Sequence, residues 1–331
     1  MTKLVTEKKI KIEVPDGKKK ERIDVFLTNS VENATRTRIQ KLIKANCVTV
    51  NGNFVKPNYQ ISPNDVVELT IPTNPRPEET IAEDIPLDII YEDEFLLIVN
   101  KPPGMVAHPS LGNYSGTLVN ALLHYTNKLS EFHEDKFRPG IVHRIDKDTS
   151  GLLLIAKDEW THAQLAKQFY NHSIDREYWA VCWGKFKNQK GEVIGNITRS
   201  NKDRKIFTVS ETEGKFAHTF YEVIEEFEFT SLIKLKLKTG RTHQIRVHMS
   251  HIKHPIFGDP TYGGRKICYG FELPKIKQRV ENLLEIMPRQ ALHAKTLGFY
   301  HPHKKEKIFF ESELPNDFNM LLEKLRQIKS Y

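Results

Sequence analysis

Residues 138–158 place a polar segment, His143-Arg144-Ile145-Asp146-Lys147-Asp148-Thr149-Ser150-Gly151, directly before an apolar run, Leu152 to Ala156. Asp146 is the residue of chemical interest. It lies between Arg144 and Lys147, and Asp148 follows two positions on. Neighbouring cations favour the ionised carboxylate while burial opposes it. A carboxylate kept charged in a partly dry pocket can act as a nucleophile. The same pattern also suits a loop tied down by a structural ion pair. A second polar run, Thr239-Gly-Arg-Thr-His-Gln-Ile-Arg-Val-His-Met249, opens with a glycine turn and continues with a helical pattern. His248, His251 and His254 are spaced by three near Asp259, which raises the question of zinc. On a helix that spacing spreads the rings around the axis, and no metallohydrolase glutamate accompanies them. Metal binding is therefore not expected of them.

Rigid elements must hold these residues. The five apolar residues before Lys157 read as a strand buried on both faces, with Gly140 and Gly151 as turn residues at either end of the loop. Residues 89–105 read as strand, turn, strand and a Pro-Gly loop, and strand patterns also occupy 176–184, 216–225, 231–238, 290–299 and 307–311. Helical patterns occupy the stretch after Thr117, residues 159–171, 276–286 and 318–328. Arg199, Lys202, Arg204, Lys205 and Phe207 make 196–210 a basic segment, suited to backbone contact or simply to solvent.

The first seventy residues differ in character. Residues 9–16 alternate as a strand, a helix begins near Arg22, and Thr35 caps a second helix running from Arg36 to Ala45. Asn51-Gly52 turns a hairpin. Eight lysines and arginines face three acids (Glu21, Asp24, Glu32) over 17–45, a net +5 of the chain's +8. Arg36, Arg38, Lys41 and Lys44 share the polar face of the second helix. Such one-sided charge positions an anion without reading its sequence. Residues 73–87, rich in proline and acids, read as a linker, which gives domains at 10–72 and 88–328.

The 331 residues are 39% hydrophobic and 28% charged, with a pI near 9.1. That suits a globular protein with an anionic partner. The start of the chain lacks the apolar core of a signal peptide, no run is long enough to cross a bilayer, and the three separated cysteines suggest neither disulfides nor a metal site. A cytoplasmic monomer is expected, and no dinucleotide or phosphate-loop fingerprint occurs.

His143-Arg-Ile-Asp-Lys-Asp-Thr-Ser-Gly-Leu-Leu153 resembles the signature of the RluA-type pseudouridine synthases. So do Asn100-Lys-Pro-Pro-Gly104, His108-Pro-Ser-Leu-Gly-Asn113 and Gly240-Arg-Thr-His-Gln-Ile-Arg246, the second of these leaning to the RluD-like branch. The helix–helix–hairpin at the start is similar to the S4 RNA-binding domain. The resemblance implies an α+β fold around a mixed, mostly antiparallel sheet, with a small S4-type α/β domain. It also implies isomerisation of uridine to pseudouridine in large-subunit ribosomal RNA, free or in a pre-ribosomal particle, with no metal or organic cofactor. It assigns Asp146 as nucleophile and Tyr178 as the active-site tyrosine. Arg246 becomes the salt-bridge partner of Asp146, and Arg144 the side chain that fills the gap left by a flipped base. Lys101, His108 and Arg241 become candidates for lining the RNA path.

Overall fold

The computed structural model describes residues 6–31, 34–73, 79–110, 112–131, 138–200, 203, 206–268 and 274–328. Met1 to Val5, Glu32, residues 74–78 of the linker, Leu111, and Lys202, Arg204 and Lys205 of the basic segment lie outside them. The chain divides into two compact units, Met1–Pro77 and Glu78–Tyr331.

The first unit runs β1 (Thr6–Glu13), α1 (Ile23–Ser30), α2 (Arg36–Lys44), β2 (Val48–Val50), β3 (Asn53–Phe54) and β4 (Val66–Thr73). Its antiparallel sheet has the order β1-β4-β2-β3. β1 starts earlier than the alternation suggests, because its ladder with β4 pairs Thr6 with Thr73. Ile23, Phe26 and Leu27 of α1 pack with Ile39 and Ile43 of α2 against Val67 and Leu69 of the sheet. The Thr35 hydroxyl caps α2 by accepting from the Arg38 N–H at 3.3 Å. Asp24, fully buried, accepts from Arg22, from Arg36 Nε at 3.0 Å and from Gln40 at 2.6 Å. The Arg22 bond, more than the others, holds its carboxyl well below the usual range against the cost of burial.

The second unit begins with β5 (Ile89–Glu92), β6 (Leu96–Lys101), α3 (Leu118–Tyr125), β7 (Ser150–Ala156), α4 (Glu159–Tyr170) and β8 (Asp175–Trp183). It continues with β9 (Lys190–Arg199), β10 (Phe207–Ser210), β11 (Lys215–Glu226), β12 (Thr230–Leu237) and α5 (Gln244–His251). It ends with α6 (Pro274–Ile286), β13 (Leu292–His301), β14 (Glu306–Glu311) and α7 (Asn316–Gln327). One sheet has the order β10-β9-β11-β12-β8-β13-β7-β6-β5, with β14 on β13. The pairing of β7 with β13 is parallel and the others are antiparallel, so the sheet is mixed and mostly antiparallel.

Every residue of β7 is buried, as its unbroken apolar run demands. Leu153 and Ile155 face a core shared with Leu118 and Leu122 of α3 and with Leu321 and Leu325 of α7. Leu152, Leu154 and Ala156 face a second core with Leu165 of α4. Each such side chain contributes about 1.5–3 kcal/mol when fully buried, so this strand is a stiff base for the loop that precedes it. Gly151 marks the junction. Its φ is +113°, and a Cβ there would lie 2.2 Å from the Ala294 carbonyl of β13. Only glycine lets the two backbones approach this closely.

Candidate active site

The loop leading into β7 is gripped through its own backbone. Lys101 at the end of β6 is fully buried and its Nζ donates to Pro102 O (2.7 Å), Met105 O (2.9 Å) and Lys147 O (3.0 Å). Lys101 therefore does not line an RNA path. It uses all three N–H groups on carbonyls and anchors the loop beside Asp146. Burial, with Arg289 nearby, pulls its pKa down to about 7 against the attraction of Asp148 and Asp146. Arg289 donates to Asp148 O at 3.0 Å while its fork holds Asp317 at 2.7 and 2.8 Å. His143 Nε2 accepts the Leu154 N–H at 3.0 Å. The loop thus has little freedom to move its carboxylate.

The second motif supplies the partner. Gln244 closes its turn, accepting from Thr239 Oγ1 (2.7 Å) and Arg241 N (2.9 Å) and donating to His218 O and Thr219 Oγ1, both at 3.0 Å. His243 adopts a left-handed φ of 56° just before α5. That strained start sets the first turn of α5, and Arg246 with it. Arg246 Nη1 donates to Asp146 Oδ2 at 3.0 Å. Its Nε and Nη2 hold Asp259 at 2.7 and 2.9 Å. The guanidinium also sits 5.0 Å from the centre of the Tyr262 ring. Asp259 is itself fixed by the N–H groups of Thr261 (2.8 Å) and Tyr262 (3.1 Å). Burial works against the charge on Arg246, but Asp259 first and Asp146 second outweigh it and raise its pKa.

The side chain of Asp146 is 24% exposed. Its Oδ2 takes the arginine bond, and no described residue donates to Oδ1. Asp146 lines a cavity of about 660 Å³ together with Arg144, Tyr178, Arg241, His243 and Arg246, among others. Asp146 is the sole carboxylate among the lining residues, against four arginines. Tyr178 lies on β8, buried at 5% exposure, and its phenol pKa is raised by burial and by Asp146. It therefore stays protonated near neutral pH and offers a ring face and an O–H. His243 Nδ1 meets the Tyr262 hydroxyl at 2.8 Å and its Nε2 is 3.9 Å from Asp146. Burial lowers its pKa against the pull of Asp146.

The other expected residues spread out. Arg144 is exposed at the cavity and donates to Thr242 Oγ1 at 3.3 Å. Arg241 lines the cavity and gives its Nε to Phe216 O at 2.9 Å. His108 is buried, in contact with Pro109 O at 3.1 Å, and lines a smaller cavity of about 220 Å³ that also reaches Asp146. Arg38, Lys41 and Lys44 are exposed on α2, whereas Arg36 has its Nε committed to Asp24. The three histidines are separate. His248 bonds Thr219 Oγ1 at 2.9 Å, His254 bonds Trp183 O at 2.7 Å and His251 is exposed. Sequence reasoning missed Asp259, Tyr262, Arg289 and the anchoring role of Lys101. The turn-rich Gly258-Asp259-Pro260 was the one visible hint of the first of these.

Residues 95–251 match the family described as RNA pseudouridylate synthase, and residues 21–67 match the S4 domain. An uncharacterized RNA pseudouridine synthase of Chlorobaculum parvum is 46% identical over 314 residues, which cover 93% of this chain and 94% of that protein. The ribosomal large subunit pseudouridine synthase D of Zymomonas mobilis is 45% identical over 308 residues, 92% of this chain and 93% of its own. That of Pseudomonas aeruginosa is 38% identical over 317 residues, 95% of each. Among solved structures, human RNA Pseudouridylate Synthase Domain Containing 4 has the same fold. It superimposes with a TM-score of 0.54 at 24% identity, over 72% of this chain and 93% of that one.

Proposed function

Since this chain belongs to the RNA pseudouridine synthase family, we propose that it isomerises uridines of large-subunit ribosomal RNA with Asp146 as nucleophile. The observation that carries the assignment is the Asp146–Arg246–Asp259 array. It holds one carboxylate oxygen at 3.0 Å from a buried guanidinium and leaves the other without a donor among the described residues, on a side chain that lines the cavity. The target base leaves its stack at a cost of about a few kcal/mol. Arg144, exposed at the rim, fills the gap. Tyr178 stacks on the extruded uracil. Asp146 then attacks the nucleoside, at base or sugar. The bond from ribose to the ring nitrogen breaks, the base rotates, and the ribose is rejoined to a ring carbon as the bond to Asp146 is released. That carbon loses a proton and the freed ring nitrogen gains one, so the product is an isomer of the substrate. Tyr178 accepts no proton while it is a neutral phenol, so its part here is to pack the base and donate.

The exposed basic face of α2 supplies phosphate contacts that hold the RNA without reading bases. The enzyme acts as a monomer in the cytoplasm. The relatives named as large-subunit enzymes support the choice of RNA. Pseudouridine mapping in total RNA, from cells with and without this gene, tests it. Sites in large-subunit RNA should vanish with the gene. Loss confined to other RNAs would reassign the substrate.

A further inference from the structure

One wall of the cavity makes no hydrogen bond to Asp146, although its Phe169 stacks on His143 of the Asp146 loop at 4.5 Å. Phe169 and Tyr170 end α4, His172 turns the chain with a left-handed φ of 56°, and Arg176 enters on β8. The Arg176 guanidinium lies 5.1 Å from the centre of the Phe169 ring. Gly240 leaves room for it, since a Cβ there would stand 3.3 Å from Nη1. Arg176 Nε is buried without a hydrogen-bond partner, and no described residue forms an ion pair with the group. The acids beside it in sequence are engaged elsewhere, Asp175 with Lys307 and Glu177 with the Trp179 indole at 3.2 Å. Strand alternation turns both to the opposite face. Arg241 and Lys238 act on the same place. After burial, the charges of Arg176, Arg241 and Lys238 lower the pKa of His172. The arginine is partly buried and its Nε is shut off from solvent. Such a group is ordinarily paired, so an acceptor from outside the protein fits here. Tyr170, 84% exposed, stands at the lip of the cavity.

We propose that this wall is a subsite for a backbone phosphate adjoining the reacting nucleoside, gripped by Arg176 with Arg241 beside it, and that Tyr170 stacks the neighbouring base. The inference rests on RNA entering this cavity to react. The planar fork of an arginine fits a phosphate in two-pronged fashion, and a phosphate is present at every nucleotide whatever its base. Such a contact sets register along the strand and leaves sequence choice to other residues.

Steady-state kinetics on a uridine-containing RNA oligonucleotide, at several salt concentrations, test the subsite. Arg176→Gln should raise KM about tenfold, leave kcat within about twofold, and reduce the salt slope of log KM by about 0.7–0.9, the share of one phosphate contact. Arg176→Lys keeps the charge and should restore the slope. A methylphosphonate at one phosphate flanking the target should weaken the wild type by a similar factor and add nothing to Arg176→Gln. An unchanged slope in folded Arg176→Gln, or losses that simply add, would overturn the subsite. If that variant does not fold, a methylphosphonate scan of the wild type decides, and no sensitive phosphate within one nucleotide of the target overturns it. Failure of the underlying reaction would look different, since the wild type itself would then form no pseudouridine.

Discussion

A carboxylate that attacks carbon must keep its charge while losing much of its water. Asp146 meets that demand with a single bond from Arg246, whose other two donors are locked onto Asp259. The second acid does more than neutralise. It fixes the plane of the guanidinium, so the Asp146 oxygen is aimed as well as charged. Asp146 and Arg246 were legible because each sits inside a local motif. Asp259 was not, because its partner lies 13 residues away across a helix and a turn, and only packing brings them together. Asp259→Asn leaves the buried arginine short of charge. It should destabilise the fold by about 3–5 kcal/mol, the usual cost of breaking a buried pair, and be read as a lower urea midpoint. A midpoint equal to wild type would mean the pair is not structural.

The loop that carries Asp146 depends on where two strands meet. β7 carries the loop, and β13 runs parallel beside it at Gly151. Gly151→Ala puts a methyl group 2.2 Å from the Ala294 carbonyl, at a φ of +113°. A loss of about 1–3 kcal/mol or more is expected, with a matching fall in melting temperature. A neutral effect would show that the strands can part cheaply. Most elements were legible from periodicity, and their ends moved by a few residues at most. β7 declared itself by its unbroken apolar run, and α2 by Thr35 and a one-sided face. What remained hidden was the direction of polar side chains. Lys101 reads as a basic residue in a loop but points inward to three carbonyls. Arg36 reads as a phosphate contact but gives its Nε to Asp24. Sequence spacing sets the face of a helix, not the partner a long side chain finds there.

Across the whole molecule, two charge effects should be measurable. His248 and His293 are fully buried, and burial, the largest cause in each case, lowers their pKa to about 4 and about 3. The unfolded chain binds these protons near pH 6.5 and the folded one does not. The stability these two residues contribute is therefore complete above about pH 6.5 and falls as the solution is acidified toward pH 4. The fall amounts to several kcal/mol, because each tenfold difference in proton affinity between the folded and unfolded chain is worth about 1.4 kcal/mol. Urea midpoints at pH 7 and 4.5 check this, and His293→Asn should flatten the fall. Equal midpoints for the wild type would refute it. The basic α2 face gives the second effect. Replacing Arg38, Lys41 and Lys44 together by Gln should weaken RNA binding, lower the salt slope by about 2, and spare kcat. An unaltered slope would show that this face is merely solvated.

The nucleophile is tested most directly by incubating Asp146→Asn with a uridine-containing RNA that the wild type converts, and counting pseudouridine formed. The substitution keeps the shape of the side chain and removes its charge. No product above background is expected, with RNA affinity within about twofold of wild type, because phosphate contacts made elsewhere supply most of the binding. Pseudouridine formed at anything near the wild-type rate would contradict the role assigned to Asp146.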